Sequence, residues 1–153
     1  MKQYERQMRQ KVDRGHRGCS SPMDWLRALD LAGKTAHAKS VPQALFKAPN
    51  DQLARFLGCY FACDGHVAEQ PGPTAEFYSV SLRLLHDVKA LLLRFGIVAF
   101  LRLKRGRYKG QPHLSWRLTV RGPFLAIFAD AIPIPGVKGE RLARGLGQQR
   151  STN

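Results

Sequence analysis

The chain has 153 residues, enough for one compact domain, and 44% of them are hydrophobic, which excludes a wholly disordered protein. Lys and Arg number 25 against 11 Asp and Glu, a formal charge of +14, so we expect a polyanionic partner, above all nucleic acid. No apolar run has the length of a membrane span. A merely basic protein of the ribosomal type is the plainer alternative.

The amino-terminal end shows no secretory signal core, and the three cysteines, Cys19, Cys59 and Cys63, lack the spacing of a zinc or redox pair. We therefore expect reduced thiols and a protein that is not secreted, located in the cytoplasm or on the nucleoid, with no membrane partner.

The predicted elements begin with a basic arm at residues 1–20, which is expected to be flexible. Ser21 followed by Pro22 predicts a short helix closing near Gly33, within a segment of helix and connecting loop at 21–50. Asn50 is then predicted to cap a helix over about 51–63.

Hydrophobic periodicity and turn residues predict the rest of the chain. The order is strand, strand, helix, strand, strand, helix, helix, at residues 66–69, 76–81, 84–95, 97–104, 113–120, 123–128 and 141–146. The last two strands flank a basic loop that holds Gly106 and Gly110. We predict an α+β domain over 51–148, an αββαββα unit whose curved four-stranded antiparallel sheet is backed by helices, followed by a tail at 149–153.

The helix predicted over 51–63 has a face of small side chains. At about 100° per residue, the large apolar residues fall on one side and Gly58, Cys59, Ala62 and Cys63 on the other. Small residues at this spacing let two helices approach closely, so we predict a helix–helix contact; packing under the chain's own sheet is the alternative.

Asp64 stands at the end of this helix, where the helix dipole disfavours a carboxylate and a bound cation would stabilise it. A solvated aspartate at a helix end is the alternative.

Residues 57–65 resemble a divergent LAGLIDADG nonapeptide of the homing endonucleases. They keep its leucine, its small third and seventh positions and its terminal Asp-Gly, and they depart from it at Ala62, where the motif has its first aspartate. Stretches at 39–52 and 87–98 are similar to endonuclease domains in inteins of bacterial replicative helicases. The resemblance covers roughly residues 24–135 and implies the αββαββα half-domain of that family.

The resemblance implies a metal-dependent endonuclease for double-stranded DNA in which two motif helices bring their terminal aspartates together. Asp64, with the backbone carbonyl of Cys63, is expected to bind Mg²⁺ or Mn²⁺. Arg121 is expected beside the scissile phosphate, with Lys104 as the lysine that could replace it. Because the chain has one motif copy, we expect a homodimer that pairs through Gly58, Cys59, Ala62 and Cys63 and recognises a pseudo-palindromic site. The alternative is that the chain is half of a longer protein.

The open face of the sheet is expected to lie in the major groove. No acidic residue occurs between Asp87 and Asp130, a region rich in Arg and Lys. Strand alternation and the basic loop predict these DNA-binding residues: His66, Ala68, Gln70, Ser79, Ser81, Arg102, Lys104, Arg105, Arg107, Lys109, His113, Ser115, Arg117 and Thr119. Within this set, the strand arginines 102 and 117 are expected to read guanine, and the loop cations to contact phosphates.

Two other functions stay open, a DNA-binding regulator that has lost the chemistry and an RNA-binding maturase. Protein splicing is not expected from this chain alone, because Met1 and the ending Ser151-Thr152-Asn153 do not supply an N-terminal nucleophile and a C-terminal His-Asn.

Overall fold

The computed structural model describes residues 22–29, 31–69 and 72–151, so the predicted arm at 1–20 lies outside the described residues. The chain divides into two units, residues 1–32 and 33–153. Helix α1, Pro22–Ala28, belongs to the first unit and begins at Pro22 as predicted. It ends earlier than the predicted Gly33, because the amides of residues 31 and 32 turn back to donate to the carbonyl of Leu26.

The second unit contains the elements of the predicted domain. Two short 3-10 helices, Ala36–Ala38 and Gln43–Lys47, come first. They are followed by α2 (Asn50–Asp64), β1 (Gly65–Ala68), β2 (Thr74–Ser79), α3 (Leu82–Leu93), β3 (Phe100–Tyr108), β4 (Gln111–Val120), α4 (Pro123–Ala131) and α5 (Val137–Ser151).

The four strands form one antiparallel sheet in the order β1-β2-β4-β3, which confirms the predicted α+β fold and its αββαββα order. The terminal helix α5 is longer than the predicted 141–146. None of the helices in the described ranges has the length and apolarity needed to cross a bilayer.

The core lies between one face of the sheet and the helices. Three fully buried phenylalanines, Phe61 of α2, Phe77 of β2 and Phe128 of α4, meet edge to face with ring centroids 5.1 to 6.1 Å apart. Each contributes about 1.5–3 kcal/mol through burial. The aromatic cluster therefore fixes α2 and α4 on the sheet at the level of the motif.

The segment before α2 is held against α3 by two polar side chains of that helix. Asp87 is buried and its carboxylate accepts a hydrogen bond from the amide of Val41 at 3.0 Å. The Ser81 hydroxyl donates to the carbonyl of Lys39 at 2.7 Å and accepts from the amide of Leu84, which caps α3. The contact between Asp87 and Val41 joins the two stretches, 39–52 and 87–98, that carry the resemblance outside the nonapeptide.

The start of α2 differs from the prediction. Asn50 does not cap the helix but is its first residue, and Pro49 occupies the cap position. The Asn50 side-chain oxygen instead accepts a hydrogen bond from Arg94 at 2.6 Å, and the same guanidinium donates to the carbonyl of Ala48 at 3.0 Å. The predicted capping role is therefore wrong, because the side chain is engaged by a residue after α3.

The second hairpin is longer than predicted. Pairing between β3 and β4 continues to Tyr108 and Gln111, and the turn is the pair Lys109-Gly110. Arg105 and Arg107, predicted in a loop, are therefore strand residues. Their polar character hid the strand, because a projecting hairpin has no apolar periodicity at its tip.

Candidate active site and nucleic-acid interface

Asp64 is the last residue of α2, and its exposed side chain makes no hydrogen bond or ion pair with the residues that the structure describes. Gly65 follows as the first residue of β1, and a Cβ there would lie 2.3 Å from the ring of Phe61. Only glycine permits that approach. The Asp-Gly end thus lets the chain pass from the motif helix into the sheet while keeping the carboxylate in solvent.

Tyr60 lies one helical turn before Asp64 and responds to it electrostatically. The ring stacks on Phe56 and Phe77, and burial raises the pKa of its hydroxyl to about 12, with the Asp64 charge as a second cause. The hydroxyl therefore remains protonated at neutral pH.

Lys138, on α5, reaches the end of the motif helix, and the sequence reasoning missed it. Its ammonium donates to the carbonyl of Cys63 at 3.0 Å and lies 3.5 Å from that of Phe61. A cation at a helix C-terminus is favourable and offsets the unfavourable position of Asp64. The signal available in the sequence was a lysine directly after the turn that follows Pro133 and Pro135.

The predicted small-residue face of α2 divides in two. Gly58 is buried, and a Cβ there would lie 2.1 Å from the carbonyl oxygen of Pro133, so this residue packs against its own chain. The structure thereby corrects its placement in a partner contact. Cys59 and Cys63 are exposed and Ala62 is half-buried, and these three form what we name the pairing face.

Arg121 does not lie beside Asp64 in the same chain. Val120 pairs with Ala75, and Ala75 pairs with Val67, so Arg121 stands level with Ala68, the last residue of β1. At about 3.3 Å per residue, this places it roughly 10 Å or more along the strand direction from the motif helix end. Its guanidinium lies 4.8 Å from the ring centre of Phe100. Its place beside the scissile phosphate therefore stays a prediction.

The rows of the sheet nearest Asp64 carry other cations. Gly65 pairs with Phe77, so the next row, Tyr78, Arg117 and Arg102, is the one closest to the end of α2. Lys104 lies two rows further, and its ammonium is 4.3 Å from the centre of the Tyr78 ring. Along the strand direction, Lys104 is therefore nearer than Arg121 to the end of the motif helix α2.

The register defines the open face, the side of the sheet that the helices do not cover. Most of the predicted DNA-binding set shares it: His66, Ala68, Arg102, Lys104, His113, Ser115, Arg117 and Thr119. Arg105 and Arg107 lie on the other side of the sheet, the same side as Leu101 and Leu103 of that strand. Gln70 lies outside the described residues.

Ser79 and Ser81 were placed on the wrong side. Ser79 pairs with Trp116, on the covered side, and Ser81 is the buried cap of α3. The outward residues of β2 are instead Thr74, Glu76 and Tyr78. The alternation was misread because the apolar Tyr78 and Val80 stand next to Ser79 and Ser81, a pattern that predicts outward-facing serines.

The donors at the helix end can be compared with what a divalent cation needs. Mg²⁺ takes one or two carboxylates and completes its shell with water and phosphate oxygens, so the exposed Asp64 carboxylate is a suitable ligand. The Cys63 carbonyl, predicted as a second ligand, already accepts the Lys138 ammonium. Within the described ranges, no three His, Cys, Asp or Glu side chains come together as a metal site. One chain therefore offers a single carboxylate.

Comparisons with known proteins identify the same region. The family described as "LAGLIDADG-like domain" matches residues 51–133. The replicative DNA helicase DnaB of Nostoc sp. (strain PCC 7120 / SAG 25.82 / UTEX 2576) is 33% identical over 128 residues, which cover 81% of this chain and 14% of that protein. The DnaB helicase of Rhodothermus marinus is 32% identical over 119 residues, 75% of this chain and 12% of that protein.

A relative of different activity shares the region too. The DNA polymerase II large subunit of Thermococcus kodakarensis is 42% identical over 67 residues, 43% of this chain and 4% of that protein. The chain thus spans 14% or less of the length of these three relatives. The DnaB matches agree with the predicted likeness to endonuclease domains in helicase inteins.

Proposed function

The chain belongs to the LAGLIDADG-like domain family, and from this we propose that it is a site-specific endonuclease for double-stranded DNA that acts as a homodimer. The observation that carries the proposal is the position of Asp64. Its exposed carboxylate stands at the end of the motif helix, directly before β1, whose outward-facing His66 belongs to the basic open face of the sheet.

Pairing of two copies follows from the shape of α2. The side chains of Cys59, Ala62 and Cys63 are small, so two such helices can cross with their backbones close together. A two-fold axis through this contact brings the two Asp64 carboxylates near each other and places the two open faces side by side. The DNA target is then pseudo-palindromic, with one half-site per chain.

The chemistry assigned to the site needs charge neutralisation at the phosphate. The paired Asp64 carboxylates would hold Mg²⁺, or Mn²⁺ in its place, which supplies Lewis acidity and a more acidic bound water. Lys138 holds the carbonyl end of the motif helix and adds positive charge there. Lys104 and the arginines of the open face neutralise neighbouring phosphates, so the duplex is bound close to the paired carboxylates.

The proposal is tested with a randomised duplex library. The wild-type chain is incubated with Mg²⁺ and the library, and the cleaved ends are sequenced. Asp64→Asn is expected to lose cleavage by several orders of magnitude and to keep DNA binding, because the open face is unchanged. The matched control is Asp51→Asn, the same substitution at an exposed aspartate in the first turn of the same helix, which is expected to cleave normally.

Two outcomes would contradict the proposal. Duplex binding by the wild-type chain without any cleavage across the library would indicate a DNA-binding regulator. Preference for structured RNA over duplex DNA in a competition assay would indicate an RNA-binding protein of the maturase type.

A further inference from the structure

A buried carboxylate lies in the middle of the basic open face. Glu76 is only 6% exposed, although its neighbours in the sheet row, His66 and Thr119, are outward-facing residues of β1 and β4. A carboxylate on a surface that receives a polyanion opposes binding, so its presence there calls for a physical reason.

Both oxygens of Glu76 are engaged by side chains of the next row. One lies 3.3 Å from a terminal nitrogen of Arg117. The other accepts a hydrogen bond from the Tyr78 hydroxyl. Tyr78 is the direct partner of Arg117 in the β2–β4 register and carries Lys104 above its ring, so Glu76 contacts two neighbouring side chains of one row, the guanidinium among them.

Simple charge balance is the alternative explanation. Arg102 and Arg117 are directly opposite each other in the β3–β4 pair, and like charges in that position repel. Glu76 relieves this repulsion. Charge balance alone, however, does not require that the carboxylate be buried or that Tyr78 hold its second oxygen.

The guanidinium adjoins a recess in the open face. The recess has a volume of about 470 Å³ and is lined by residues that include Glu76, Arg102 and Arg117. Thr74 also lines it, and in the described part of the chain the Thr74 hydroxyl is buried without a hydrogen-bond partner. Such a group is costly until a water molecule or a ligand satisfies it, so the recess can accept a polar ligand edge.

We propose that Glu76 is a positioning residue for sequence recognition, which with Tyr78 fixes the Arg117 guanidinium so that it reads one guanine in each DNA half-site. An arginine fork has five N–H donors, so binding Glu76 leaves donors for the O6 and N7 acceptors of guanine. Fixing the fork before binding removes the entropy cost of ordering it. This inference rests on the proposed DNA binding.

The test is selection of bound sequences from a randomised duplex library, without cleavage, by the wild-type chain and by Glu76→Gln. Wild type is expected to enrich a two-fold symmetric motif. Glu76→Gln is expected to lose the preference for one guanine per half-site by roughly ten- to hundredfold, the range of one bidentate contact. Its affinity for a scrambled duplex should stay unchanged or rise slightly, because a negative charge has left the face.

The matched control is Glu69→Gln. Glu69 also pairs with an arginine, Arg141 at 3.5 Å, but this carboxylate is well exposed and is absent from the lining of the recess. It carries the same change in net charge and is expected to retain the full motif. Tyr78→Phe removes one of the two partners of Glu76 and is expected to weaken the same guanine preference to a smaller extent.

A folded Glu76→Gln protein that enriches the wild-type motif unchanged, or that loses affinity equally at all positions, would overturn the inference. If that variant does not fold, Tyr78→Phe decides, since it removes a partner of Glu76 and leaves the fork and the net charge unchanged: a weaker preference for the same guanine supports the inference, and an unchanged motif overturns it. Failure of the wild-type chain to enrich any sequence would instead overturn the proposed function itself, and the inference with it.

Discussion

The two faces of α2 belong to one helix of 15 residues and have opposite surroundings. On the inner face, Leu53, Leu57 and Phe61 are fully buried under the sheet and α4. On the pairing face, Cys59 and Cys63 are exposed although both are apolar enough for a core. The contrast teaches that burial in this helix follows the position of the chain's own elements, whereas the exposed small residues are those for which we propose a contact with a second copy of the chain.

The largest loss of cleavage is expected when a charged side chain is introduced on the pairing face, which tests whether that face differs from the inner one. Cys59→Arg should reduce cleavage to background, because two large cations would meet at the two-fold axis, while the monomer stays folded since the site is exposed. Cleavage and sedimentation measurements check this. His86→Arg, at an exposed position of α3, adds the same side chain elsewhere and should leave both unchanged. A Cys59→Arg protein that cuts normally would argue against pairing through α2.

A smaller effect, on the free energy of unfolding, is expected to distinguish Gly58 from the adjacent Cys59. Gly58→Ala is expected to lower the free energy of unfolding by about 1–3 kcal/mol, because its Cβ would overlap the Pro133 carbonyl. Cys59→Ala, one position later and exposed, should change it by less than about 0.5 kcal/mol. Denaturant unfolding of both variants checks the difference. Equal stability of the two variants would mean that Gly58 does not pack against the chain's own loop.

The smallest effect concerns pH. The unfolded chain should ionise Tyr60 near pH 10, whereas in the folded chain burial and Asp64 raise its pKa to about 12. Between these values the unfolded state binds fewer protons, so the free energy of unfolding falls as pH rises through this window. Tyr60→Phe should flatten part of that fall. Unfolding curves at several pH values between 9 and 12 check this, and an identical pH profile for both proteins would contradict it.

Much of the fold was predictable because the signals were local. The helical period of α2 and α3, the Asp-Gly end of the motif and the alternation of β4 were read correctly from neighbouring residues. The phase of β2 was not, since the apolar Tyr78 and Val80 beside the two serines indicate the opposite side for the core. The tip of the β3–β4 hairpin was misread as a loop for a similar reason, because no apolar residue marks its pairing.

The sequence by itself determined the αββαββα order, the basic open face and the exposed carboxylate at the end of the motif helix, because periodicity, turn residues and charge act over a few positions. Only the tertiary structure decided that Gly58 packs inward and that Lys138 holds the carbonyl of Cys63. It also decided that Glu76 holds Arg117. Each of these contacts joins residues more than 40 positions apart, and contacts at that separation depend on how the helices and strands pack rather than on any local pattern.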